Sequence, residues 1–306
     1  MKMKRFVSIA LCALMLLPIL AGCGAKTEPT VATAAPAATE AATTAPAAAE
    51  TTAPAALAED VQKIVDRGVL RVGVKNAVLG FGFQDELTGV YSGMEIYLAQ
   101  KIAEYLGVDV EFTAVTAATR TELLDSGDID CVLATFTITE ERKKSWDFTT
   151  PYYTDYVTVL VEDASGIKTL ADLKDKKVGV SSGSTSGKAL VKAMIEAGVL
   201  SGDGFDADSF DPATWTDGVS FAQYDDYPTI STALSAGEVD AFCVDKSILA
   251  VYHTDGRSYI EDKFAPQEYG IATTKGSGMS ELCEKLVTEW LADGTIDALI
   301  AENGIA

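Results

Sequence analysis

Histidine is nearly absent: the chain has 306 residues and one imidazole, His253. A Ser-His-Asp set would need that residue at a cleft, and no second histidine is there to share a metal ion. His253 falls in LAVYHTDG at a predicted helix end, so it reads as a surface residue. Cations are also scarce, with 24 Lys and Arg against 45 Asp and Glu and a formal net charge of −21. Such a chain repels nucleic acid and anionic lipid, so a cationic site inside it needs a reason. Of five cysteines, Cys12 and Cys23 lie in the N-terminal segment. Cys131, Cys243 and Cys283 sit in apolar or helical patterns without metal-site spacing, and they read as small buried residues, with a disulfide among them the alternative. No cofactor or metal is expected.

Long apolar runs are missing except for one. Lys2, Lys4 and Arg5 precede FVSIALCALMLLPIL. At about 15 residues this run is short for a membrane span, which needs about 20, and it reads as an export signal over residues 1–22. The signal ends in Leu20, Ala21, Gly22 and Cys23, which resembles a bacterial lipobox. That resemblance implies lipidation of Cys23 and an anchor on the extracytoplasmic face of the membrane. Residues 24–56 contain no aromatic side chain, and Pro29, Pro36, Pro46 and Pro54 argue against a continuous helix. Such a segment cannot bury enough apolar surface to order itself, so residues 23–56 read as a lipidated cysteine and a disordered tether.

The remaining 250 or so residues are enough for two lobes, and the chain nearly repeats itself. LRVGVKN (residues 70–76) has a counterpart in KKVGVSS (176–182), and LLDSGDIDCVLAT (123–135) in ALSAGEVDAFCVD (233–245). In each second motif a helical pattern stops at a glycine, Gly127 or Gly237, and an aspartate comes after it, Asp130 or Asp240. An apolar strand is next and ends on a polar residue, Thr135 or Asp245. Strands alternating with helices such as GMEIYLAQKIAEYLG predict an α/β protein with parallel sheets. Ligands bind such sheets at the carboxyl ends of their strands. Lys75, Thr135, Ser181 and Asp245 all fall at predicted strand ends and would line one cleft if the lobes face each other.

The cationic run Arg142-Lys143-Lys144 stands inside ATFTITEERKKSWDFTTPYYTD (134–155). Thr139, Glu140 and Glu141 predict a helix start, with a hydroxyl cap followed by acids favoured by the dipole. Lys143 and Lys144 read as solvated. SSGSTSG (181–187) is a small-residue loop before a helix expected near Lys188, and its backbone N–H groups suit an anion. The Gly-Lys-Thr ending of a phosphate loop is absent. GDGFDADSFDPATWTDGV (202–219) predicts an acidic surface loop.

These motifs, with VDAFCVDKSILAVY and PQEYGIAT, occur in the order and spacing of extracytoplasmic amino-acid-binding proteins of ABC transporters (solute-binding protein family 3). Residues 57–306 resemble that family, and its aspartate/glutamate-binding branch most. The resemblance implies a type II periplasmic-binding-protein fold, two α/β lobes joined by two crossing hinge strands. It places lobe 1 at residues 57–151 and 270–306, lobe 2 at 157–264, and the hinge at 152–156 and 265–269. One departure is Gly93-Met94-Glu95-Ile96-Tyr97-Leu98, where the family reads G-F-E-I-D-L; that helix face is taken as structural.

Carried over residue by residue, the resemblance implies that Arg142 grips a ligand α-carboxylate in two charge-assisted bonds. Thr135 and Thr137 would bond the amino and carboxylate groups, and the Thr185 backbone N–H would meet the carboxylate from lobe 2. Asp245 would pair with the α-ammonium, the alternative being an ion pair with Lys246. Lys75 and Arg120 would hold a side-chain carboxylate. The expected function is capture of glutamate or aspartate by a monomeric, lipid-anchored protein that delivers it to an ABC permease. A sensor or adhesin of the same fold, or a cleft enzyme such as a dehydratase, is the alternative.

Overall fold

A computed structural model describes residues 57–305. The expectations for the export signal, the lipidated Cys23 and the tether fall outside the described residues. No helix among the described residues is long and apolar enough to cross a membrane.

The first lobe is built on a five-stranded sheet. Strand Val69–Val74 lies between Asp109–Ala114 and Cys131–Leu133, parallel to both. Leu70, Val72 and Val74 are fully buried, because covering both faces of a parallel strand requires an apolar run. Helix Met94–Leu106 packs on this sheet through Met94, Leu98, Ala99 and Ile102, at helical spacing, and stops at Gly107 in the left-handed conformation. Beyond Cys131–Leu133 come Ala272–Thr274, antiparallel, and then Trp146–Phe148. A small ribbon of Ala77–Val78, Gly82–Gln84 and Tyr91–Ser92 lies beside it.

The second lobe repeats the plan. Strand Lys176–Ser181 lies between Val219–Tyr224 and Ala241–Asp245, parallel to both. The long strand Tyr153–Glu162 then runs antiparallel to Ala241–Asp245, with Arg257–Tyr259 at its far side. Both sheets are thus mixed, which corrects the expectation of parallel ones. The chain enters and leaves the second lobe through strands that run against the βαβ direction. Those two segments pair with each other: Phe264–Tyr269 lies antiparallel to Tyr153–Glu162, with Pro266 opposite Tyr156 and Tyr269 opposite Tyr153. The register shifts between Phe264 and Pro266, where Ala265 has a φ of 48°.

The sequence repeat is a structural repeat. The Asp130 carboxylate accepts the Arg71 N–H at 2.8 Å, and the Asp240 carboxylate accepts the Lys177 N–H at 2.8 Å. Each aspartate returns its own N–H to the carbonyl of the same partner. The brace ties the start of the last strand to the start of the first. Gly73 and Gly179 occupy matching crowded positions, where a Cβ would meet the Ile129 or the Ile230 side chain at 2.6 Å.

Cys131, Cys243 and Cys283 are buried and unpaired, in line with their apolar surroundings. His253 is exposed and stacked on the Tyr259 ring. The acidic stretch is a series of exposed turns, held down by Phe205, Phe210 and Trp215, which pack on one another and on the second-lobe core. The helix expected after Thr139 is instead a single 3-10 turn, Arg142–Lys144, with the Thr139 hydroxyl accepting the Arg142 N–H at 3.1 Å. The helix expected near Lys188 begins at Ser186.

Candidate functional site

Four strand ends converge. Lys75 follows Val69–Val74, Thr135 follows Cys131–Leu133, and Ser181 and Asp245 close their strands. All four side chains are buried. Arg120, Thr135, Thr137, Arg142, Thr185 and Asp245 line one cavity between the lobes. Lys75 and Ser181 line the adjoining cavity, and Tyr227 lines both. The Lys75 ammonium lies 5.2 Å from the centre of the Tyr227 ring, so a first-lobe cation meets a second-lobe aromatic.

Two guanidinium groups share one aromatic ring. Arg120, on helix Thr119–Ser126, stacks 3.8 Å from the centre of Phe136, and Arg142 lies 4.7 Å from it. Arg120 donates from Nη1 to the Ala134 carbonyl at 2.9 Å and the Thr135 carbonyl at 3.3 Å. Arg142 donates from Nη1 to the Thr137 carbonyl at 2.7 Å and from Nη2 to the Gly183 carbonyl of the other lobe at 3.1 Å. Burial lowers Arg120 to about 10. Burial and the Arg120 charge lower Arg142 to about 9. Lys75 is pushed well below its ordinary value by burial and by Arg120. Lys143 and Lys144 are exposed, as expected.

Thr135 carries backbone strain, with a φ of 46° that a β-branched residue rarely adopts. Its N–H donates to Glu95 Oε1 at 2.7 Å, and the Tyr152 hydroxyl donates to the same oxygen at 2.6 Å. Glu95 is fully buried, and burial raises its pKa. The helix face taken as structural therefore supports the site directly.

Asp245 accepts from the Tyr269 hydroxyl at 2.6 Å. Lys246 does not pair with it; that ammonium faces the Tyr156 and Tyr259 rings. Burial and the nearby Asp155 charge raise Asp245 to about 7. Opposite, the loop before helix Ser186–Glu196 presents Ser184, Thr185 and Ser186, at a helix start whose first N–H groups have no intrahelical acceptor. The Thr185 hydroxyl donates to Gln267 at 2.8 Å. Buried polar atoms without a protein partner come from both walls: Arg120 Nε and Thr135 Oγ1 on one side, Ser184 Oγ and Ser186 Oγ on the other. Buried polar groups are normally hydrogen-bonded, so this set fits a polar ligand bridging the lobes.

Glu95, Phe136, Asp155, Tyr227 and Tyr269 escaped the sequence reading. Asp155 and Tyr269 stand in the hinge motifs PYYTD and PQEYGIAT, but nothing in those strings says their side chains meet. The lobes are in contact beyond the cavity. Lys188 reaches Glu141 at 3.3 Å, and a Cβ on Gly183 would lie 2.8 Å from the Ala117 carbonyl.

Two α/β lobes joined by paired crossing strands, with a polar cavity between them, define a two-lobed binding protein. The chain belongs to the bacterial extracellular solute-binding proteins, family 3, whose pattern matches residues 70–303. It is similar to an ABC transporter glutamine-binding protein of Bacillus subtilis (strain 168), 31% identical over 304 residues, spanning 97% of this chain and 96% of the relative. An L-cystine-binding protein of Escherichia coli (strain K12) is 32% identical over 245 residues, 78% of this chain and 84% of the relative. Among solved structures, an ancestral arginine-binding protein bound to arginine superposes with a TM-score of 0.64 at 36% identity, covering 77% of this chain and 98% of that one.

Proposed function

We propose that the protein captures an acidic L-amino acid, glutamate or aspartate, between its lobes and delivers it to the permease of an ABC importer. The observation that carries the ligand class is charge. Three buried or half-buried cations, Lys75, Arg120 and Arg142, gather around a cavity whose one lining carboxylate among the described residues is Asp245. Asp225 and Asp226 line the adjoining cavity beside Lys75, but both are exposed, where solvent screens them. In this reading Arg142 and the Thr185 N–H receive the α-carboxylate, Asp245 receives the ammonium, and Thr135 and Thr137 bond both. Lys75 and Arg120 are then left for a second carboxylate. A cationic ligand would add a charge to this group and be rejected. The relatives' names include glutamine, cystine and arginine, so the side-chain end is where this chain has to differ from them.

Calorimetry of the purified protein against the common amino acids tests the reading. Glutamate and aspartate should bind tightest. Preference for glutamine or for a basic amino acid would refute the acidic assignment and leave family membership intact.

The anchor belongs to the same proposal. Cys23 is read as the lipid-modified N-terminus that holds the protein on the extracytoplasmic face. Labelled fatty acid should enter through Cys23, and Cys23→Ser should release the protein or leave its signal uncleaved. A normally processed, membrane-retained Cys23→Ser variant would rule the anchor out.

A further inference from the structure

We propose that Asp155 is a positioning residue for the ammonium end of the site: by sharing the Tyr269 hydroxyl with Asp245, it makes ligand capture depend on release of a proton from the carboxylate pair. The inference rests on the reading above, in which Asp245 receives the ligand ammonium.

The geometry is a buried triangle. The Tyr269 hydroxyl lies 2.6 Å from Asp245 Oδ2 and 3.2 Å from Asp155 Oδ2. Both carboxylates are buried, at 4% exposure each. One phenol carries one proton, so it can donate to only one of them at a time. Their other partners differ. Asp155 Oδ2 accepts the Ser247 N–H at 3.0 Å and the Ser247 hydroxyl, and Asp155 Oδ1 accepts the Tyr156 N–H at 2.8 Å. Asp155 therefore has three donors on its two carboxylate oxygens besides the phenol. Among the described residues, Asp245 has the phenol alone as a donor to its side chain. Two close carboxylates resist ionising together, and the one with fewer donors takes the proton.

The groups around Asp245 come from every element that faces it. Asp155 and Tyr269 belong to the two crossing strands, and Tyr227 belongs to helix Tyr227–Ser235. Arg120, Arg142 and Lys75 approach from the first lobe. The guanidinium charges and the Tyr269 bond favour the anion, but burial and Asp155 outweigh them and set Asp245 at about 7. Glu95 acts on Lys75 and Arg120 instead.

An arriving ammonium supplies the counter-charge that Asp245 lacks. The ligand therefore selects ionised Asp245, and the proton it displaces passes to solvent. Below the Asp245 pKa the ammonium meets a neutral acid and affinity falls; above it affinity is level until other groups titrate. Glutamate stays a dicarboxylate through this window, because its side chain ionises near about 4.3.

The experiment is calorimetry of the full chain in detergent with L-glutamate from pH 5 to 8, in buffers of differing ionisation heat. The wild type should lose affinity by about tenfold per pH unit below about 7, roughly 100-fold between pH 8 and pH 5, with proton release on binding. Asp155→Asn removes the repelling charge and should move the break to lower pH. Tyr269→Phe removes the donor and should move it to higher pH. Thermal melts of each variant show whether it is folded. A wild-type affinity that is level from pH 5 to 8 overturns the proposal. So does a folded Asp155→Asn variant that is weaker by the same factor at every pH, since that marks a purely structural role. Failure of every amino acid to bind wild type at any pH would instead sink the functional reading, and this inference with it.

Discussion

Arg120→Ala should weaken glutamate and aspartate binding by roughly two to three and a half decades, because removing one member of a desolvated charge pair costs about 3–5 kcal/mol. Glutamine, which offers an amide in place of the second carboxylate, should lose less. The comparison matters because Arg120 also has a structural part, bonding the Ala134 and Thr135 carbonyls and covering Phe136. A purely structural loss would weaken every amino acid alike. Lys75→Met keeps the apolar stem and removes the charge, and should produce the same ordering of glutamate against glutamine. Parallel titrations of both ligands into each variant read the result. Equal losses for glutamate and glutamine in both variants would remove Lys75 and Arg120 from the side-chain end.

Asp245→Asn should carry the other large effect. At pH 8 glutamate should bind about two to three and a half decades more weakly, since its ammonium is then buried without a counter-charge. Glutarate, the same dicarboxylate without the amine, should not share that loss. Stability should move the opposite way. The folded-state pKa of Asp245 is raised to about 7, so its contribution to stability is present below the ordinary carboxylate value and is lost as the pH rises through about 7. The ligand-free variant should therefore melt at or above the wild-type temperature at pH 8 and lose that advantage towards pH 4. Residues kept for binding commonly cost the fold in this way. A variant that binds glutamate normally, or loses glutarate equally, would show that Asp245 does not face the ammonium.

Much of this site was legible because it rests on local signals. Gly107, Gly127 and Gly237 stop helices, apolar runs mark strands, and the first polar residue after a strand marks its carboxyl end. Those three cues placed Lys75, Thr135 and Asp245, and the structure buries all three beside the same interlobe space. The illegible part depends on strand pairing at long range. Tyr269 and Asp155 are 114 residues apart in sequence and meet because the two crossing segments pair antiparallel. The mixed direction of both sheets has the same origin. Glu95 stands in a helix whose apolar periodicity hid it, since one buried acid among Met94, Ile96 and Leu98 carries no sign of its partners. Thr139 gave a correct capping signal, but a cap does not fix the length of the helix it starts, and a single turn formed.

The matching braces at Asp130 and Asp240 make Thr135 and Asp245 equivalent positions in two copies of one unit. The copies hold a hydroxyl in one place and a carboxylate in the other. A cleft with identical walls would be indifferent to which way round a molecule lay. This one has a direction, because Lys75 and Thr135 of one copy answer to Ser181 and Asp245 of the other, so the two ends of a zwitterion would meet different walls.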